Sequence, residues 1–209
     1  MARPKNADPE ETQRRILVSA IEHFGRHGLK ATSLRTVAAD AGVTFASVHH
    51  YFGAKTDLFE RCLQTSYDRL RGLQPAILAA LTDVDEPADK VRCVVRAAFD
   101  YASENQTSAR FLLRVTLFDE VDNPLRLEAQ TEYLDAASTL LSPLVGRPAD
   151  ELRVPLQGLV FLLSRAAVMT SRDLDSIAGR SGNDARLGMR EYVADVAVHT
   201  LLPRSRKDD

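Results

Sequence analysis

The sequence predicts an all-α fold of about nine helices. Apolar residues recur at helical spacing along most of the chain, and we find no sustained alternation of polar and apolar residues of the kind that a strand requires. Prolines and capping residues stand where helices are expected to begin. These signals divide the chain into a three-helix domain over residues 1–54, a larger helical domain over residues 55–203 and a charged tail, 204–209, that we expect to be disordered.

The first predicted helix has a continuous apolar face. Gly28 supplies the left-handed backbone that favours a helix C-terminus, so the helix is expected to end there. The apolar positions that follow the 3.6-residue repeat are Ile16, Leu17, Ala20, Ile21 and Phe24.

Two short helices are predicted next. Thr32 and Ser33 are placed to cap a second helix that runs to about Asp40, because their hydroxyl oxygens accept hydrogen bonds from the free N–H groups of a first turn. Thr44 is placed in the same way before a third helix, which begins at Phe45 and runs for roughly two turns.

The larger domain begins with a long fourth helix near Lys55. Pro75 is expected to kink or break this helix, because proline lacks a backbone N–H and clashes with the preceding turn. Further helix starts are marked by Pro87, Pro124 and Pro148. The remaining predicted helices run from Thr107 to Phe118 and from Asp184 to about Leu201.

Composition excludes several classes of protein. The 209 residues carry a formal net charge of −2, so a nucleic-acid contact would have to come from a local patch. Such a patch is present between residues 30 and 56, where Lys30, Arg35 and Lys55 stand against Asp40 alone. An ordinary solvated surface explains this charge run equally well, so the motif has to decide.

Membrane, metal and catalytic functions have little support in the sequence. The longest charge-free stretches, such as Gly72–Thr82, are well short of the roughly 18–20 apolar residues that a spanning helix needs, and the N-terminus lacks the apolar core of a signal peptide. We therefore expect a cytoplasmic protein. Cys62 and Cys93 lack the spacing of a zinc site or disulfide framework. With no catalytic constellation visible either, we predict no enzyme activity, cofactor or metal.

The informative stretch is Thr32–Leu58, TSLRTVAADAGVTFASVHHYFGAKTDL. Its two short helices are joined through Ala41-Gly42-Val43, a turn that lets the second helix cross the first at a steep angle and project its N-terminal residues outward. Small and apolar residues are expected to lock the pair against Phe24 and Ile21, and they are Val37, Ala38, Ala41, Val43, Val48 and Phe52.

The run GVTFASVHHYFGAKTDL resembles the recognition-helix signature of the TetR family of transcriptional regulators. The specific match covers roughly residues 12–63, including the helix end FGRHG and the helix start TSLRTVA. The chain departs from the family pattern at His49, where a tyrosine is usual, at Thr36, where an acidic residue is common, and at Phe45, where a polar or basic residue is frequent. The resemblance implies a helix-turn-helix regulator that binds double-stranded DNA.

Two sets of DNA-contacting residues follow from the motif. The predicted phosphate contacts are Thr32, Ser33, Arg35, Thr44, Tyr51 and Lys55, because hydroxyls at helix N-termini, a phenol and cations suit an anionic backbone. The predicted base readers are Phe45, Ala46, Ser47, His49 and His50, with Phe45 suited to a thymine methyl and His50 to a purine acceptor. Each residue also has an ordinary alternative as a cap, a core aromatic or a polar surface residue.

A homodimer is predicted because one helix-turn-helix neutralises few phosphates. Two such motifs match a palindromic operator whose half-sites are about 34–36 Å apart. By the resemblance, the last two long helices form the subunit interface, although their stripes also suit an intramolecular core. The predicted interface residues are Leu152, Leu156, Leu159, Val160, Leu163, Ala167, Met189, Tyr192, Val193 and Val196.

The middle helices resemble the part of the family that binds an effector, here an unknown small molecule. Residues suited to such a cavity are Phe99, Tyr101, Phe111, Leu112, Arg114, Val115, Phe118, Tyr133, Arg165 and Met169. Ordinary core packing is the alternative for the apolar members, and for Arg114 and Arg165 it is snorkelling to solvent. The family resemblance implies a repressor released by its effector; the alternative is a helical ligand- or protein-binding module without specific DNA binding.

Overall fold

A computed structural model describes residues 8–118 and 124–202, apart from the side chain of Leu125. The predicted disordered tail at residues 204–209 lies outside this range. The described residues contain no strand, which confirms the all-α prediction. They form eleven helices: α1 Pro9–Ala31, α2 Leu34–Asp40, α3 Phe45–Phe52, α4 Lys55–Arg71, α5 Leu73–Ala80, α6 Pro87–Glu104, α7 Gln106–Phe118, α8 Pro124–Val145, α9 Ala149–Ala167, α10 Ser171–Ala178 and α11 Asn183–Leu201.

Two differences separate this count from the predicted nine. The long fourth helix is broken into α4 and α5, and the break falls at Gly72 rather than at Pro75. Pro75 is the third residue of α5, where its missing N–H would have had no partner within the helix. The second difference is α10, which the sequence analysis missed although Thr170 caps its start and left-handed Gly179 ends it.

Gly28 interrupts the first helix as expected but does not end it. Its backbone has φ 78° and ψ 173°, a conformation open to glycine and strained for other residues. The chain then makes one more turn to Ala31, and the N–H of Thr32 donates to the carbonyl of Gly28. The helix therefore kinks at Gly28, which aims the following segment toward α2.

The N-terminal helices share one apolar core, which we call the head core. Phe24 of α1, Phe59 of α4 and Phe111 of α7 pack their rings against one another, with centroids 5.2 Å apart for the first two and 5.3 Å for the last two. All three side chains are at most 2% exposed. Because Phe59 and Phe111 follow residue 54, the boundary predicted there does not coincide with the edge of this core.

A second core holds the rest of the molecule together. It is built by residues of α5, α6, α8, α9 and α11, and Phe99 and Leu152 are fully buried within it. Ion pairs join α11 to α6 along its edge, among them Arg92 with Asp195 at 3.1 Å. A small third cluster of Met169, Leu174 and Ala185 seats α10 against α11.

No single helix within the described ranges is long and apolar enough to cross a membrane. Helices α9 and α10 pass the same test of length and composition only as a pair, and they are bent by 109° relative to each other.

Candidate nucleic-acid interface

Helices α2 and α3 form the predicted helix-turn-helix. The hydroxyl oxygen of Ser33 accepts a hydrogen bond from the N–H of Arg35 at 3.2 Å, and that of Thr44 accepts from the N–H of Ser47 at 3.1 Å. Ser33 alone caps α2, whereas Thr32 takes a different role. In the turn, Gly42 has φ +64°, and a Cβ there would lie 2.5 Å from the guanidinium of Arg15. Its backbone conformation therefore favours glycine, and any larger residue would also have to displace the guanidinium of Arg15.

Three polar residues of α1 hold α2 and the turn in place. Arg15 donates to the carbonyl oxygens of Ala41 and Gly42, the latter at 3.1 Å. The hydroxyl of Ser19, four residues on, donates to the carbonyl of Val37 at 3.2 Å. A cation at the end of α2 also opposes the partial negative charge of a helix C-terminus.

The third member of this row is His23, which lies four residues beyond Ser19. Its Nε2 is 3.7 Å from a carboxylate oxygen of Asp40, the last residue of α2. We call Arg15, Ser19 and His23 the α1 polar row; it was not predicted from the sequence. Its signal was the repeat of polar residues at 15, 19 and 23, directly beside the apolar positions of the same helix.

The apolar residues expected to lock the motif are where the sequence predicts them. Val37, Ala38, Ala41 and Val48 are at most 5% exposed and belong to the head core with Ile21 and Phe24. Val43 and Phe52 pack against the same core while remaining partly exposed.

The predicted base readers share one exposed side of α3. Phe45, Ala46, His49 and His50 are exposed, and Ser47 is half-buried. Val48, between them in sequence, points into the head core with no exposed surface. The exposed side chains are therefore accessible to a DNA groove. Their role as base readers stays a prediction.

Among the predicted phosphate contacts, Ser33, Arg35 and Thr44 are exposed, and Tyr51 is half-buried against the head core. Thr32 is a correction. It is only 4% exposed, and its hydroxyl donates to the carbonyl of Gly28 at 2.7 Å, with the carbonyl oxygen of His23 also within reach at 3.1 Å. Since its side chain is buried and bonded to α1, Thr32 stabilises the α1–α2 connection instead of facing solvent.

Lys55 has a structural contact that the sequence did not reveal. Its ammonium donates to the carbonyls of Lys30 at 3.2 Å and Thr32 at 3.1 Å, which lie at and beyond the end of α1. The N-terminus of α4 is thereby attached to the α1–α2 connection, and the charge lies beside the exposed ends of α2 and α3. A third ammonium proton is left for a phosphate.

An aromatic stack lies at the start of α3. The guanidinium of Arg35, on α2, lies over the ring of Phe45 at 5.8 Å from its centroid. The ring of His49, one turn along α3, meets Phe45 edge to face at 6.3 Å. Phe45 is nevertheless 44% exposed. A cation and a second ring therefore hold an apolar side chain at the surface of the motif.

The structure does not gather the predicted effector residues into one cavity. Phe111 and Val115 are buried in the head core with Leu112 packed beside them, Phe99 is buried in the second core and Met169 in the small third cluster. These corrections have one cause: the helical repeat shows which side of a helix is apolar and not which core it enters.

The polar and peripheral members of that set are also dispersed. Phe118 is 62% exposed, and Arg165 is exposed, in agreement with the solvent-facing alternative. Arg114 lies over the ring of Phe118 at 5.2 Å and donates to the carbonyl of Arg26 in α1. Tyr133 packs half-exposed beside the second core.

The hydroxyl of Tyr101 donates to the carbonyl of Arg69 and joins α6 to the end of α4. Two open pockets lie elsewhere. One of about 720 Å³ is lined by residues between α8 and α9 and by the end of α11, including Arg147 and His199. The other, of about 290 Å³, lies beside the α1 polar row. None of the predicted effector residues lines either pocket.

Half of the predicted subunit interface is buried inside the chain itself. Leu152, Leu156, Leu159, Ala167 and Val193 are at most 9% exposed, so they have almost no surface left for a partner. These five are corrections in favour of the intramolecular alternative. Val160, Leu163, Met189 and Val196 are half-buried, and Tyr192 is 59% exposed.

Other residues of the same two helices are exposed where the prediction overlooked them. Val154 of α9 is 81% exposed and Leu187 of α11 is 42% exposed. Gly158 lies one turn beyond Val154, and a Cβ built on it would meet open space. Together with Tyr192 these residues give α9 and α11 an apolar outer side.

Within the two described ranges, no three His, Cys, Asp or Glu side chains are arranged to hold a metal ion.

The helix-turn-helix of α2 and α3 lies within the part of the chain that matches a known protein family. Residues 16–62 match the family model described as bacterial regulatory proteins, tetR family. The chain is 35% identical over 91 residues to the HTH-type transcriptional regulator BetI of Agrobacterium fabrum, covering 43% of each chain. It is 31% identical over 100 residues to the transcriptional repressor KstR2 of Mycolicibacterium smegmatis, covering 48% of this chain and 47% of that one. These matches span less than half the length of either relative.

Solved structures resemble the whole chain in fold. A TetR-like transcriptional regulator from Rhodococcus sp. RHA1 is 19% identical with a TM-score of 0.62, covering 93% of this chain and 96% of that one. A family member from Shewanella sp. PV-4 is 18% identical with a TM-score of 0.68, covering 92% and 99%. At this level of identity the likeness concerns the fold alone.

Proposed function

We propose, on the premise that this chain belongs to the TetR family of bacterial regulatory proteins, that it is a transcriptional regulator whose homodimer binds a palindromic operator in the cytoplasm. The observation that carries the proposal is the exposed side of α3. It presents Phe45, Ala46, His49 and His50 to solvent on a motif whose turn is held by Arg15. A short helix with small and hydrogen-bonding side chains on its free side fits a major groove.

The two sets of DNA contacts have different expected roles. Exposed Ser33, Arg35 and Thr44 lie at helix N-termini beside α3, where N–H groups and positive charge favour phosphate. The α3 side chains would meet base edges and select sequence. Lys55 joins the phosphate set through its remaining ammonium proton, because its position next to the α1–α2 connection brings the charge to the same surface.

A second copy of the chain is proposed to pack on the outer side of α9 and α11. Exposed Val154, Leu187 and Tyr192 supply apolar area there, and Gly158 permits a close approach of backbones. Association of two identical faces would place the two α3 helices symmetrically, as a palindrome requires.

We further propose repression, with release by a small molecule bound among the helices of the larger domain. Ser66 of α4 and Ser103 of α6 have buried hydroxyls with no hydrogen-bond partner among the described residues, and such groups favour a polar ligand nearby. Similar proteins act in both directions: KstR2 is named a repressor, and FasR of Mycolicibacterium smegmatis is named an activator.

Selection from a pool of random duplexes tests the core of this proposal. The full-length protein should enrich a near-palindrome with half-sites about one helical turn apart. Weak, salt-sensitive retention of all sequences alike would overturn it and favour a ligand- or protein-binding module that lacks specific DNA recognition.

Two substitutions then separate phosphate from base contacts. Lys55→Ala should weaken all duplexes alike and reduce the slope of log affinity against log salt by about 0.9 for each ammonium lost. His50→Ala should relax preference at one position of each half-site. Lys90→Ala, on α6 beside the second core, is the charge-matched control and should leave the slope unchanged. Equal effects of the Lys55 and His50 variants on all sequences would contradict this division of roles.

A further inference from the structure

We infer that Phe45 reads the 5-methyl group of a pyrimidine in the major groove, held in position for that contact by Arg35 and His49. The inference rests on the proposed function and deepens it by naming the chemistry that one position of the half-site must carry. Two bases offer this group in a duplex, namely thymine and 5-methylcytosine.

The position of Phe45 is unusual for a large apolar side chain. It is the first residue of α3, it is 44% exposed, and it belongs to none of the apolar cores. Burial within the chain therefore does not account for a phenylalanine there. A ring left open at the surface of a DNA-binding helix gains from contact with an apolar group of the partner.

The ring is held by neighbours on two elements. Arg35 approaches from α2, with its guanidinium 5.8 Å from the ring centroid, and His49 approaches from the next turn of α3 at 6.3 Å and an interplanar angle of 83°. A residue held by two contacts loses less conformational entropy on binding than a free one. The same contact places the ring next to Arg35, whose guanidinium can also bind a DNA phosphate.

Among the predicted base readers, Phe45 offers the largest apolar surface, since Ala46 carries a single methyl group and the others carry hydrogen-bonding groups. The hydroxyls of Thr44 and Ser47 lie 2.9 Å apart and bond to each other at the start of α3. His49 and His50 present ring nitrogens, which suit acceptors and donors on base edges. In the major groove of B-DNA the exposed apolar group is the pyrimidine 5-methyl, and the ring of Phe45 is the large apolar surface on α3 that can cover it.

The test uses duplexes selected by the full-length protein from a random pool, with deoxyuridine replacing thymidine symmetrically at one position of both half-sites at a time. Deoxyuridine lacks only the methyl group. At one position, wild-type affinity should fall about fourfold per half-site, or on the order of fifteenfold for both, the loss expected for one buried methyl group each. Phe45→Ala should bind the thymidine and deoxyuridine duplexes equally.

His50→Ala is the matched control, because it changes a neighbouring side chain on the same helix and should weaken both duplexes by the same factor. Thermal unfolding verifies the fold, and the midpoints of wild type and Phe45→Ala should agree within about 2 °C since the ring is not part of a core.

Placing 5-methylcytosine or cytosine at the same position distinguishes the two sources of the methyl group. A fourfold preference for 5-methylcytosine over cytosine per half-site supports the inference for both bases. If the protein shows no such preference but still binds the deoxyuridine duplex more weakly than the thymidine duplex, the inference holds for thymine alone. Equal wild-type binding of every deoxyuridine duplex overturns the inference, as does a thymidine preference that persists in Phe45→Ala. Failure to enrich any sequence would instead refute the proposed function.

Discussion

Replacing Phe111 by alanine should severely destabilise the protein, because this residue of α7 joins the larger domain to the head core. Its side chain has no exposed surface, and its ring packs against Phe59 at 5.3 Å and Phe24 at 6.3 Å. Gly25 of α1 lies so close that a Cβ built on it would be 3.2 Å from the backbone of Phe111. With the helix backbones in contact, the neighbours have little freedom to move into the space that the ring leaves.

The magnitude follows from this burial. Removing a fully buried phenylalanine side chain costs about 3–5 kcal/mol, and poor relaxation of the surroundings favours the upper half of that range. For a chain of this length such a loss lowers the thermal midpoint by roughly 6–20 °C. Natural proteins are stable by about 5–15 kcal/mol, so a protein near the middle of that range would still fold at low temperature after this loss.

Phe118→Ala provides a matched control on the same helix. Both phenylalanines were predicted to line an effector cavity, but Phe118 is 62% exposed, with the guanidinium of Arg114 over its ring. This variant should lose less than about 1 kcal/mol.

Urea unfolding followed by far-UV circular dichroism, at one protein concentration for all variants, measures both losses. The reasoning is refuted if Phe111→Ala loses less than about 1 kcal/mol, since the residue would then line space that collapses freely or is already empty. Equal losses in the two variants would also refute it.

Three further predictions concern other parts of the molecule. Arg15→Ala should cost about 1–2 kcal/mol of stability and weaken operator binding, because the guanidinium donates to backbone carbonyls in the turn, and Arg15→Lys should restore part of both. The slope of log affinity against log salt should not change in either variant, since no phosphate contact is lost. A flatter slope would instead assign Arg15 to a phosphate contact. Val154→Asp should shift the dimer toward monomer in sedimentation experiments and Tyr192→Ala should do so less strongly, whereas a dimer that persists in both variants would put the interface elsewhere. Thiol titration of the native protein should modify Cys93 first, since burial raises the pKa of Cys62, and both thiols should react in denaturant; rapid reaction of two thiols in the native state would contradict that burial.

Local chemistry accounts for what could be predicted about the interface. Caps at Ser33 and Thr44, the glycine of the turn and the apolar positions of α1 depend on neighbours within a few residues, and each lies where the sequence predicts it. The exposure of the α3 side chains follows from the same repeat, because burying Val48 turns the flanking positions outward. Contacts between separate elements were not predictable in this way. Lys55 meets carbonyls more than 20 residues away, and the ring of Phe45 meets a cation from α2.

The amino-acid sequence by itself determined most of the helices, many of their ends and the side of each that is apolar, because propensity, capping and periodicity act over one or two turns. Tertiary structure alone decided which apolar side enters which core. Phe111 and Phe99 look alike in sequence, yet one packs in the head core and the other in the second. Leu152 looked suitable for a partner and is buried in its own chain. The physical reason is that hydrophobic burial is not directional: an apolar side must be covered, but only the packing of the whole chain determines what covers it.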